Sequence, residues 1–229
     1  MDSEMAGPTG SRATLSGVAR SLGLAGVICL AWIGAWILEQ FLEPRVGLLA
    51  SASGRTVYWT AMRLVVWVLP SVVVIRLSGL TFRQVMRFDR GRSIMVWGGG
   101  VGLILGAISL LAKTLGGQPL FSSSVGLPLI SAVFVASAVE EIAFRGAILG
   151  GLQERFRFWR ANLITGLLFV GIHCPGWFFQ GCLVTRLTSP VNGALSIFLL
   201  GLVFGYVAHK SKSVAASTLT HMVNNLFSG

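Results

Sequence analysis

Apolar residues fall into seven long blocks, near 21–38, 57–75, 93–112, 127–149, 161–181, 190–208 and 213–228, parted by short polar or arginine-bearing stretches. A helix needs about 20 apolar residues to cross the hydrocarbon core of a bilayer, and each block reaches or nearly reaches that length. The pattern predicts an all-α, polytopic transmembrane helix bundle of about seven spans. The first block carries Trp32 and Trp36 and runs into Glu39, Gln40 and Glu43 with no small-residue cleavage site, so it reads as a retained span and not a signal peptide. Residues 1–20 read as a flexible cytoplasmic N-terminal tail, and residues 21–229 as a single membrane-embedded helical domain.

Composition agrees with the pattern. Hydrophobic residues make up 54% of the 229 and charged residues 11%, against about 25% charged in soluble proteins; the mean hydropathy is +0.77. A formal charge of +10 could suggest nucleic acid, but the arginines sit in short loops and no soluble module exists to present them to a duplex. The charge is topological. Twelve basic residues (Arg12, Arg20, Arg76, Arg83, Arg87, Arg90, Arg92, Arg155, Arg157, Arg160, Lys210 and Lys212) fall on one side of the predicted spans, and four (Arg45, Arg55, Lys113 and Arg186) on the other. The positive-inside rule places the N-terminus in the cytoplasm. Arg63, in the second block, is expected to snorkel to the opposite interface. Cys29, Cys174 and Cys182 form no CxxC and read as small buried hydrophobes. The glycine spacings 98, 102, 106 and 201, 205 suit close helix contacts in a bilayer.

The fourth block is the anomaly, because Glu140, Glu141 and Arg145 interrupt it. Three charges at a span centre cost about 9 kcal/mol on the insertion scale, and the Leu, Ile, Phe and Val residues of that block return about 5. The block therefore needs internal pairing or the shelter of other helices. Glu141 and Arg145 are four apart with the acid first, so they share a face and can neutralise each other. Glu140 points about 100° away, in line with the small residues Ala132, Ala136, Ala143 and Ala147, and is expected to face the bundle interior. It can act as a base there, or simply pin two helices together.

Two histidines also lie inside apolar blocks: His173 in the fifth and His221 in the seventh. His209, beside Lys210, reads as an interfacial group. Counting from the basic ends, Glu140, His173 and His221 come out at depths of about 15, 20 and 14 Å, so they can meet in one layer. Asn225 follows His221 by four residues and shares its face, with Asn224 as the rival amide on another; Phe169 precedes His173 by four and can pack against the imidazole or a substrate chain. Such a set suits hydrolysis of a peptide bond: Glu140 and His173 take a proton from water, and His221 and Asn225 donate to the oxyanion. GxSxG is missing. So are HExxH and Glu-x-x-His, and neither a metal nor another cofactor is expected. Proton relays also use intramembrane acids, so a transporter or a bacteriocin-immunity protein without protease activity is the alternative. The chain shows no matched pair of interrupted helices to favour transport.

Glu-Glu-x-x-x-Arg at 140–145, Phe-x-x-x-His at 169–173 and His-x-x-x-Asn at 221–225, in that order, resemble the three motifs of the CAAX protease and bacteriocin-processing family of glutamic intramembrane proteases. The resemblance spans roughly residues 130–227 and implies a protease core at about 127–228. It implies that Glu140 and His173 activate water, that His221 and Asn225 form the oxyanion site, and that Arg145 orients Glu141. The expected substrate is a membrane-anchored protein or peptide cleaved near its C-terminal end or anchor. The expected setting is the lipid bilayer, as a multi-pass protein of the bacterial inner membrane, with no nucleic-acid partner. The chain departs from the pattern in "HCPGW", where Pro175 should break or kink the fifth span just past His173.

Overall fold

The computed structural model describes residues 10–120 and 126–228, with side chains from Gly17 onward. Among the described residues all regular structure is helical: α1 (Gly10–Leu42), α2 (Ala52–Leu77), α3 (Phe82–Met86), α4 (Gly91–Leu115), α5 (Leu127–Gln153), α6 (Phe158–Phe179), α7 (Leu183–Thr188), α8 (Ala194–Ser211) and α9 (Val214–Ser228). Each apolar block of the sequence is thus a helix. Six of them (α1, α2, α4, α5, α6 and α8) are long and apolar enough to cross a membrane; α9, with 15 residues, rises about 22 Å and is shorter. One boundary differs from expectation. Residues 10–20, read as tail, already belong to α1, while residues 1–9 and the Arg12 side chain lie outside the described residues.

Which residues each helix buries follows from a solvent as apolar as its side chains. Leu103, Ile104, Ile108 and Leu111 on α4 are exposed, because burying leucine against leucine gains little in lipid and close backbone packing must hold helices together instead. The opposite face of α4 carries Gly98, Gly102 and Gly106, and α9 packs directly on them. A Cβ at Gly98 would lie 2.6 Å from the Ala216 carbonyl oxygen, and one at Gly106 would lie 2.7 Å from the Phe227 ring. Thr220 Oγ1 donates to the Gly98 carbonyl at 3.0 Å, fixing the register. Gly98→Ala should therefore destabilise the protein by about 1–3 kcal/mol, read as a lower melting temperature in detergent. Gly100→Ala, whose Cβ would meet nothing within 4 Å, should leave it unchanged.

The N-terminal helices brace the rest through aromatic contacts. Trp32 on α1 packs against Trp59 and Trp67 on α2 at centroid distances of 5.0 and 5.3 Å. Trp67 meets Phe144 on α5 at 5.9 Å, and Phe144 meets Phe169 on α6 at 4.9 Å. Ser21 Oγ donates to the Ile148 carbonyl at 3.1 Å, and Thr60 and Ser131 share a hydroxyl hydrogen bond at 2.8 Å, tying α1 and α2 to α5. These links surround α5 and hold its charged stretch inside the bundle.

Candidate active site

The charges of α5 separate into a buried ion pair and a partly accessible acid. Glu141 and Arg145 are fully buried and joined by Arg145 Nη1 donating to Glu141 Oε1 at 2.9 Å, the pairing expected from their spacing. Packing adds partners that spacing could not reveal. Arg145 Nη2 donates to the Gly201 carbonyl of α8 at 2.8 Å, and the guanidinium lies over the rings of Phe169 and Phe204 at 4.7 and 5.3 Å. Glu141 Oε1 also receives Nδ1 of His221 from α9 at 2.9 Å. A carboxylate only accepts, so Nδ1 carries the proton and the other ring nitrogen, Nε2, is left for chemistry. Phe204 stacks on the imidazole at 4.4 Å and fixes its plane.

Glu140 makes no hydrogen bond among the described residues. Its side chain is 13% exposed, and its Oε2 stands 3.9 Å from His221 Nε2, a separation too long for a hydrogen bond. His173 sits at the turn between the two parts of α6, Phe158–Gly171 and Cys174–Phe179. Pro175 has no N–H to offer the preceding turn, so the break that its position predicted falls on the histidine itself. His173 Nδ1 donates to the Phe169 carbonyl at 2.6 Å, which leaves Nε2 of that ring as the nitrogen with a lone pair. Phe169 is buried and stands edge-on to that ring at 5.1 Å.

Glu140, Phe169, His173, His221, Asn224 and Asn225 all line one cavity of about 680 Å³, whose other walls include Leu105, Leu200 and Phe204. Groups from α5, α6 and α9 thus converge on one space, with Glu141 and Arg145 behind His221. Asn225 departs from the expected arrangement in one respect. Its Nδ2 donates to the Ala132 carbonyl and Ser137 Oγ, each at 3.1 Å, so both amide protons are engaged with α5. Asn224, the rival amide, is buried, reaches the same cavity and donates to Asn225 Oδ1 at 3.3 Å. It keeps a second amide proton.

The remaining candidates lie elsewhere. His209 is exposed and stacks on Phe158 at 4.0 Å. All three cysteines are free and half-buried, and Cys174 does not line the cavity. Among the described residues no three His, Cys, Asp or Glu side chains are grouped as metal ligands. Arg63 lies on α2, about 17 Å along the helix from Ala52, with its guanidinium 5.9 Å from the Trp32 ring.

Residues 122–227 match the family model described as type II CAAX prenyl endopeptidase Rce1-like. That segment contains all three motifs and, of the cavity's lining, Glu140, His173, His221, Asn224 and Asn225. No curated protein and no solved structure matches the chain significantly.

Proposed function

We propose that this chain is a glutamic intramembrane endopeptidase, as its match over residues 122–227 to the type II CAAX prenyl endopeptidase Rce1-like model supports. Its substrate is a membrane-anchored protein or peptide, cut near the C-terminal end or anchor. The observation that carries the reading is the single cavity shared by Glu140, His173, His221 and Asn225.

In this mechanism Glu140 takes a proton from a water held against His173 Nε2, and the water oxygen attacks the scissile carbonyl carbon. His221, protonated at both nitrogens, donates through Nε2 to the oxyanion while Nδ1 stays on Glu141. Asn225 supplies a second donor by exchanging one of its two α5 contacts for the oxyanion. Glu140 then passes its proton to the leaving nitrogen, the C–N bond breaks, and the products are a carboxylic acid and an amine. No metal or other cofactor takes part. The twelve-to-four division of basic residues supports a cytoplasmic N-terminus.

The test compares wild type with Glu140→Gln, His173→Ala and His221→Ala in the native membrane, reading the C-terminal ends of membrane proteins by mass spectrometry. Uncleaved precursors should accumulate in each variant, and identical C-terminal ends in all four strains would refute proteolysis. With a purified substrate, His221→Ala should lower kcat by about 10²–10³, equivalent to about 2.7–4 kcal/mol. Turnover should persist after exhaustive chelation; its loss, restored by added zinc, would assign the reaction to a metal.

A further inference from the structure

At the end of the bundle where the basic residues gather, the described residues include two acids, and both are already paired. Asp89 accepts Arg87 Nε and Nη2 at 3.2 and 3.3 Å, and Glu154 accepts Arg20 Nη2 at 3.3 Å. The side chains of Arg90, Arg92, Arg155, Arg157 and Arg160 make no hydrogen bond or ion pair among the described residues. Arg90 Nε is even buried without a partner.

These five arginines are grouped around two cavities. One, of about 570 Å³, is lined by Arg90, Arg92, Ser93, Val96 and Trp97, with Asp89 at its edge. The other, of about 730 Å³, is lined by Arg155, Phe156, Arg157, Trp159 and Arg160. Each cavity thus sets two or three unpaired guanidiniums beside one indole. The two indoles meet the same residue: the Tyr206 ring of α8 lies 6.0 Å from that of Trp97 and 5.9 Å from that of Trp159, and Lys210 Nζ stands 5.5 Å from it. The cavities are therefore neighbours across α8.

Their depth suits a lipid headgroup. Trp97 lies about 9 Å into α4, Trp159 is the second residue of α6, and Tyr206 lies about 8 Å before the end of α8; tryptophan and tyrosine concentrate at the headgroup level of a bilayer. Beside the first cavity Met95 and Val96 are exposed, and in the second Trp159 is exposed, so each offers apolar surface next to its charge.

We propose that the two cavities bind anionic phospholipid, each taking one phosphodiester headgroup on its arginines and one acyl chain along its tryptophan. A planar guanidinium grips a phosphate through two parallel hydrogen bonds, and basic pockets between helices select anionic headgroups. A zwitterionic headgroup brings its own cation, which these arginines repel. The bound lipids hold together the basic ends of α4, α6 and α8, whose other halves contribute Leu105, His173 and Leu200 to the catalytic cavity. The inference stands apart from the hydrolase reading.

The test counts bound lipid. Full-length protein in dodecylmaltoside is incubated with phosphatidylglycerol or with phosphatidylcholine; native mass spectrometry counts the lipid retained, and intrinsic fluorescence reads the melting temperature. Two phosphatidylglycerols should stay bound, each at least about tenfold more tightly than phosphatidylcholine, and should raise the melting temperature. Arg90→Gln with Arg92→Gln should lose one, and Arg155→Gln with Arg157→Gln and Arg160→Gln should lose the other. Arg76→Gln with Arg83→Gln removes as much charge as the first pair from the same end, outside both cavities, and should keep both lipids. Equal retention of the two lipids, or two phosphatidylglycerols still bound after the cavity substitutions, would overturn the proposal. So would an equal loss from the Arg76 and Arg83 substitutions, which would show a diffuse surface charge. Inorganic phosphate raising the melting temperature as far as phosphatidylglycerol would assign the arginines to free phosphate instead. The comparison of the two lipids uses the unaltered protein, so it decides the matter even where a variant fails to fold.

Discussion

Glu140→Gln should lower turnover of a reconstituted substrate by about 10²–10⁴, the range over which a positioned general base acts, while leaving the folded yield and melting temperature close to those of wild type. The division follows from its surroundings. Glu140 lines the cavity and makes no hydrogen bond among the described residues, and its Oε2 stands 3.9 Å from His221 Nε2. Replacing the carboxylate with an isosteric amide removes the base and breaks no contact that holds helices together. Cleavage assays and thermal unfolding on the same preparation check this. A large fall in melting temperature would show that Glu140 pins the bundle, and undiminished turnover would remove it from the chemistry.

Glu141→Gln should do the opposite first. Glu141 is fully buried, and one of its oxygens accepts both Arg145 Nη1 and His221 Nδ1 at 2.9 Å. Removing one partner of a buried ion pair costs about 3–5 kcal/mol, because it strands the other charge. Arg145 keeps its Gly201 carbonyl and the faces of Phe169 and Phe204, none of which carries a compensating charge. The variant should therefore accumulate poorly and unfold at a markedly lower temperature. The fraction that folds should also turn over slowly, since Glu141 no longer holds His221 Nδ1 through a charged hydrogen bond. Glu141→Asp, which keeps the charge on a shorter stem, should recover part of the stability. Wild-type stability with turnover alone lost would refute a structural role for the pair.

These two neighbours show how far the sequence could be read. Their different surroundings follow from a 100° step around one helix, and the Glu141–Arg145 bond from a spacing of four, so both were legible along the chain. The break at His173 was legible too, because Pro175 acts on its own helix through its missing N–H. The start of α2 was misplaced for a correspondingly local reason: the apolar block begins five residues after the helix does, since Ala52, Ser53, Gly54, Arg55 and Thr56 carry little hydrophobic signal. The contact between Glu141 and His221 was not legible, as the two are 80 residues apart. Nor was the engagement of both Asn225 amide protons by Ala132 and Ser137, which depends on how α9 lies against α5.

By itself the sequence determined that this is a membrane-embedded helical chain, which helices carry ionisable groups, and which of those groups share a face. Hydropathy and a 3.6-residue period act within a single helix and are complete before any two helices touch. Only the tertiary structure decided that α5, α6 and α9 enclose one cavity and that Glu141 holds His221 as well as Arg145. Those outcomes depend on the rotation and depth at which glycine-lined faces pack, and in lipid that is set by contacts between helices.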